Sequence, residues 1–367
     1  MTFNKEVIKN DEKAIFALRS LYRKYGYKQY KMSKFEEYDL YARNKDFLVS
    51  DGVITFTDIG GKLLALKPDV TLSIIKNSTD ESLTKVYYNE NVYRVSPGSH
   101  GYKEIMQTGL ECIGSLDLYN ICEVIMLAVE SLRAISSDFV MDISHMGLVS
   151  AILSEATDSE KTKRQIIKCL GEKNPHEIRR ICSGEGINSE SIELICSLYG
   201  DGDSVTEKLK GANLSEEALS HVATLEKINA FLKDNDLSGN VNFDFSIDCN
   251  MKYYSGVVFK GYIKGIADSV LSGGQYGSLL TRMGKKADAI GFAVYLDMLE
   301  RLTETKKEYD VDTLLLYDED ADIGALSRNI KMLTDIGTDV LAVRSIPDIK
   351  YRQLLKFNGK GVEICNG

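Results

Sequence analysis

Apolar positions recur along this chain with two periods, and the changes of period divide it. Near the start, Ile15, Leu18 and Tyr22 fall on one side of a 3.6-residue repeat. That spacing predicts a helix capped by Asn10 or Asp11, running to about Lys24 and stopped by Gly26. The period then shortens to two. ITFTDI and KLLALK flank Gly60-Gly61, the pattern of a hairpin closed by a two-residue turn. Residues 85–95 and 104–113 alternate as strands around a loop at 96–101. In the second strand Ile105, Gln107, Gly109, Glu111 and Ile113 share one face, and Met106, Leu110 and Cys112 share the other. A glycine between an amide and a carboxylate on one pleated face leaves room for a small polar ligand.

Helical spacing returns at 117–134 through Ile121, Val124, Leu127, Ala128 and Leu132. Residues 148–235, rich in Glu, Lys, Ser and Leu and without a strand pattern, read as a helical insertion. Strand patterns resume at 242–248 and 253–263, and DSVLSGGQYG reads as a strand running into a glycine turn. A buried helix fits 289–302. Beyond a charged linker at 306–310, VDTLLLY, a helix at 323–336 and TDVLAVR form a β-α-β unit that ends soon afterwards. The expected domains are therefore 1–305, carrying the insertion, and a small one at 310–367.

Bulk properties narrow the function classes. A chain of 367 residues is too long for one simple core, and 44% apolar with 27% charged residues is an ordinary globular balance. Apolar runs such as 311–317 are too short to span a bilayer, and MTFNKEVIKNDEK has no apolar signal core, so no membrane association and a cytoplasmic location are expected. Seven cysteines without CxxC pairs read as reduced thiols. A net charge of −9 counts against broad nucleic-acid binding. There is no GxxxxGK[ST] loop and no GxGxxG after a strand. His176-Glu177 lacks a second histidine, and His100, His145, His176 and His221 are scattered, so neither metal nor cofactor is expected.

Taken singly, the polar segments have ordinary explanations. Asp69 and Thr71 in LKPDVTLSIIKN suit a helix N-terminus. Gln107 and Glu111 suit a solvent-facing strand, Tyr253 and Tyr254 half-buried aromatics, and Gly273-Gly274 a turn. Their order is more specific. LKPDVT, then VYR followed thirteen residues later by QTGLECIG, then MKYYSGVVF, SGGQYG and IGFAVYLDML, resembles the class II histidyl-tRNA synthetases. The likeness covers roughly 5–148 and 240–305, with a weaker echo in the tail.

This resemblance implies an α+β fold, in which an antiparallel sheet flanked by helices carries the ligand site and the chains pair as dimers. It sets Asp69 against the α-ammonium of a bound histidine with help from Thr71. Gln107 falls on the amino-acid backbone, and Glu111 with one of Tyr253 and Tyr254 falls on the two imidazole nitrogens. Arg94 keeps the motif 2 arginine. The adenine-contacting glutamate of the synthetases falls near Ser96, however, and a loop arginine falls near Gly101. Met298 and Cys249 stand where two further arginines serve adenylate formation. Each lost charge-assisted contact typically costs ~10²–10³ in rate, so adenylation is not expected. The tail resembles only the start of an anticodon-binding domain, which argues against tRNA binding.

This combination resembles the regulatory subunits of short-form ATP phosphoribosyltransferase, paralogues of the synthetases. It implies a non-catalytic chain in a hetero-octamer of four regulatory and four catalytic subunits, transmitting feedback by L-histidine in the first step of histidine biosynthesis. With Cys249 in place of an arginine, the ligand carboxylate falls to Arg94 or Lys252. Two alternatives remain from the sequence, a divergent active synthetase and a synthetase scaffold used only to bind another protein or RNA.

Overall fold

The computed structural model describes residues 8–48, 52–79, 82–95, 101–247, 253–301, 308–359 and 361–365. Two compact units divide the chain, Met1–Leu302 and Thr303–Gly367. In the first, α1 (Asn10–Lys24) buries Ala14, Ile15, Leu18 and Tyr22 as its spacing requires, and Gly26 follows it at φ +83°. Its cap lies one residue earlier than expected. Lys9 holds that position, and its backbone N–H donates to Glu12 Oε2 at 2.9 Å, so neither Asn10 nor Asp11 is the cap.

Next come β1 (Lys28–Gln29), β2 (Phe35–Glu37), α2 (Tyr38–Ala42), β3 (Thr55–Thr57), β4 (Leu63–Leu66) and α3 (Thr71–Asn77). Strands β2, β4 and β3 form a small antiparallel sheet. The β3–β4 hairpin has a longer turn than Gly60-Gly61 alone suggests. Asp58 N–H donates to Lys62 O at 2.9 Å, Gly61 N–H to Asp58 O at 3.1 Å, and the Asp58 carboxylate accepts from Lys62 N–H at 2.8 Å. Gly61, at φ +82°, supplies the left-handed residue.

The main sheet contains β5 (Thr84–Val95), β6 (Tyr102–Gly114), β7 (Phe139–His145), β8 (Tyr199–Gly200), β9 (Val241–Asp244), β10 (Val257–Ile263), β11 (Leu271–Gln275) and β12 (Asp288–Tyr295). Among the described residues, with β1, it has nine strands in the order β1-β5-β6-β12-β11-β10-β7-β9-β8. Pairing is antiparallel throughout its centre, and parallel only for β1 with β5 and β7 with β9. The fold is thus the α+β class expected.

Three expectations fail here for physical reasons. Residues 289–301 form no α-helix. They give β12 and a 3-10 turn at Leu296–Arg301, because β12 is covered on both faces and its unbroken apolar run carries no strand alternation. Gly273-Gly274 lies inside β11, not in a turn. Strands β9 and β10 are shorter than the patterns at 242–248 and 253–263, and β7 lacks any alternation strong enough to be read in advance.

Helix α4 (Leu118–Ile135) starts at an Asp117 cap that accepts from Asn120 N–H at 2.9 Å. The expected insertion consists of α5 (Met146–Ala156), α6 (Glu160–Gly171), α7 (Pro175–Glu185), α8 (Glu190–Ser197), α9 (Gly202–Lys210) and α10 (Glu216–Asp234). It is helical apart from the two residues of β8, which join the sheet. Ile166, Ile178, Ile195, Val222 and Leu225 from these helices share one apolar cluster with Leu18, Leu110, Leu127 and Phe259, so the insertion has no separate core. A second cluster covers the other side of β5 and β6 through Tyr41, Val70, Ile75, Tyr88, Ile113, Tyr276 and Leu279. Helix α11 (Gly277–Arg282) follows β11 in this unit.

In the second unit β13 (Val311–Leu316), α12 (Ile323–Asp335) and β14 (Val340–Val343) form the expected β-α-β. Two strands not read in the sequence extend it, β15 (Tyr351–Phe357) parallel to β13 and β16 (Val362–Ile364) antiparallel to β15. Asp322 caps α12 by accepting from Gly324 N–H at 2.9 Å. Among the described residues no helix is long and apolar enough to cross a membrane.

Candidate functional site

Strand pairing places the polar face of β6 in register with its neighbours. One row runs Val86–Glu111–Gly291–Gly274–Val258 across β5, β6, β12, β11 and β10. The adjoining row runs Tyr88–Gly109–Ala293–Ser272–Lys260, and Gln107 faces Tyr295 in the next. Directly paired residues share a face, so small residues form a trough between larger ones. Alanine does not fit at its key points. A Cβ on Gly291 would lie 1.7 Å from Glu111 Oε2, and one on Gly109 would lie 2.3 Å from Phe292 O.

Above this trough is a cavity of about 370 Å³. All seven residues expected at the site, Asp69, Thr71, Arg94, Gln107, Glu111, Tyr253 and Tyr254, border it. Thr71 begins α3 and donates from Oγ1 to Glu111 Oε1 at 2.7 Å. Asp69 keeps its ordinary role too, accepting from Leu72 N–H at 2.8 Å. Helix capping and cavity lining are combined in one carboxylate. The segment carrying both is tied to β5 by the Lys67–Glu90 ion pair, in which Lys67 is 1% exposed, and by Tyr93 N–H donating to Lys67 O at 2.9 Å. Arg94 Nε–H donates to Pro68 O at 2.8 Å, which holds its guanidinium near Asp69.

Several lining residues escaped the sequence reading. Tyr276, within SGGQYG, donates its hydroxyl to Glu111 Oε2, and Tyr88, Lys260 and Tyr295 complete the walls. The sheet register exposes Tyr88, Lys260 and Tyr295, but nothing in the spacing of Tyr276 pairs it with a carboxylate so distant in sequence. Rings close one side, with centroids 4.7 Å apart for Tyr253–Tyr254, 5.6 Å for Tyr253–Tyr276 and 6.0 Å for Phe47–Tyr253.

Burial pushes the Glu111 carboxyl up to about 8, against the opposing pull of the Tyr276 and Thr71 hydroxyls. Burial likewise raises Asp69, partly offset by Arg94 and by the backbone N–H groups of Leu72 and Thr71. Gln107, 2% exposed, has an Nε2 without a hydrogen-bond acceptor. Two under-compensated acids and one unpaired amide suit a small ligand with cationic groups and an acceptor oxygen.

Ser96, Cys249 and Lys252 lie outside the described residues. Gly101 directly precedes β6. Met298 sits in the 3-10 turn after β12 and packs on the large apolar cluster.

Comparison with known proteins agrees with this architecture. A profile of the histidyl-tRNA synthetase family matches residues 4–299. An ATP phosphoribosyltransferase regulatory subunit from Oceanobacillus iheyensis is 29% identical over 283 residues, which are 75% of this chain and 69% of that protein. Among solved structures, an ATP phosphoribosyltransferase regulatory subunit/histidyl-tRNA synthetase from Bacillus halodurans is similar at TM-score 0.75 and 23% identity, covering 97% of this chain and 96% of that one. A chain of the ATP phosphoribosyl transferase (HisG:HisZ) complex from Thermotoga maritima is similar at TM-score 0.62 and 22% identity, covering 78% of this chain and 97% of that one.

Proposed function

The chain belongs to the histidyl-tRNA synthetase family, and from that premise we propose that it is a non-catalytic regulatory subunit of an ATP phosphoribosyltransferase. The observation that carries this reading is an imbalance within one fold. The groups suited to recognising histidine are assembled around Glu111, whereas position 298 holds an uncharged methionine packed on the apolar core. Cys249, in place of a second adenylation arginine, extends the same imbalance in the sequence.

On this reading L-histidine binds with its imbalance of charge matched to the cavity. Its imidazole lies at Glu111 and one of Tyr253 and Tyr254, its ammonium at Asp69 and Thr71, and its backbone at Gln107. The partner is a short-form catalytic subunit, in a cytoplasmic assembly of four regulatory and four catalytic chains that contains regulatory dimers. Residues 310–367 are a small unit of anticodon-binding type with no tRNA to read. Histidine acts as feedback signal by binding the inhibited assembly more tightly than the active one, with coupling of ~1–3 kcal/mol.

Reconstitution with a short-form catalytic subunit tests this. The mixture should gain phosphoribosyl transfer that L-histidine inhibits, and Glu111→Ala should leave the gain but remove the inhibition. ATP–pyrophosphate exchange driven by histidine in the isolated chain would overturn the proposal in favour of a divergent synthetase.

A further inference from the structure

Two histidines far apart in sequence meet where the helical insertion joins the sheet. His145 ends β7 and caps α5, its Nδ1 accepting from Leu148 N–H at 3.3 Å. His221 lies on α10, the last helix of the insertion, and its ring stacks on that of His145 with centroids 4.6 Å apart and planes inclined by 36°. Only a glycine admits this approach. A Cβ on Gly147 would lie 2.7 Å from His221 Cε1 and 3.0 Å from His145 Cε1. The joint stands close to the candidate site, because Met146 N–H donates to Gly256 O at 2.8 Å, two residues beyond Tyr254.

The stack suits neutral rings. Leu148 N–H requires a bare Nδ1 on His145, so that ring carries its single proton on Nε2. A second proton would set Nδ1–H against Leu148 N–H, at the positive end of α5. His145 is 5% exposed. Burial, reinforced by His221, pushes its imidazole down to about 3. Burial also lowers His221, against the pull of Glu217 one turn earlier on α10. Little else answers a charge here. Val257, paired with His145 from β10, is apolar, and Glu226, Asp203, Glu193 and Glu130 on the packed helices pair with Lys210, Lys233, Arg179 and Arg133.

We propose that His145 and His221 form an acid-released latch, which holds α10 on the start of α5 while both rings are neutral and opens as they take up protons. The open rings bind protons more tightly than the stacked ones, so acid favours the open form. The latch is at full strength above the ordinary imidazole value of 6.5 and weakens as pH falls below it. One unit below that value, opening is about tenfold more frequent for each ring that titrates.

Hydrogen–deuterium exchange of the full chain at pH 7.5 and 5.5, corrected for intrinsic rates, tests the latch. The first turn of α5 and the whole of α10 should lose about 10- to 100-fold in protection at the lower pH, while α4 keeps its own. His145→Asn with His221→Phe, which retains a capping oxygen and a ring but cannot titrate, should erase the difference. Gly147→Ala should part the rings and give α10, at pH 7.5, the low protection that the wild type shows in acid. Unchanged exchange in β6 certifies that each variant folds. An equal acid loss in α4, a pH difference that survives in the double variant, or wild-type protection in Gly147→Ala overturns the latch.

Discussion

On one face of β6, Leu110 and Cys112 lie in the large apolar cluster with α1 and α4. On the other face of the same strand, Gln107 and Glu111 are almost as deeply buried, yet they border a cavity. Depth is nearly equal, and what differs is how completely each side chain is matched. The apolar face is filled by partners of its own kind, so burial there stabilises the fold. The polar face carries an unpaired amide and a carboxyl raised by desolvation, and both oppose folding until a ligand answers them. One sheet therefore divides its faces, with apolar partners filling one side and incompletely matched polar groups bordering a cavity on the other.

The sharpest way to break this comparison is to truncate each face in turn. Leu110→Ala should destabilise the protein by ~2–5 kcal/mol, read by denaturant unfolding, because the residue has no accessible surface. Gln107→Leu removes a buried orphan donor at similar volume, and should change stability by less than ~1 kcal/mol or raise it. Comparable losses from both would mean that the two faces contribute alike.

A change of pH sharpens the contrast further. With its carboxyl pushed up to about 8, Glu111 in the folded, ligand-free chain keeps a proton that the unfolded chain releases near 4.5. Unfolding therefore releases a proton between those values, and stability falls as pH rises through them, by at most ~1.4 kcal/mol per unit. Glu111→Gln has no such proton to lose. Its melting temperature should gain on the wild type from pH 5 to about 8 and then keep a constant lead. A lead independent of pH would place the titration elsewhere.

Much of this was legible in advance because alternation is a local property. The faces of β6 follow from parity alone, and the order of LKPDVT, VYR, QTGLECIG and MKYYSGVVF pointed to seven side chains that border one cavity. What escaped depended on neighbours. Strand β12 looked helical because covering both faces erases the period of two. Gly273-Gly274 looked like a turn because a sequence does not reveal that Phe292 and Tyr254 crowd those positions. Lys260 reaches the cavity through strand register, and Tyr276 meets Glu111 from just beyond the end of β11, relations that no single segment encodes.

The central claim is that the polar face of β6 is a histidine site held by Glu111. Titration calorimetry of the purified chain with L-histidine at pH 7, beside Glu111→Ala, tests it most directly. Saturable binding in the wild type that disappears in the variant is the expected result. Equal binding by the two chains, or no heat from the wild type up to millimolar histidine, would contradict it.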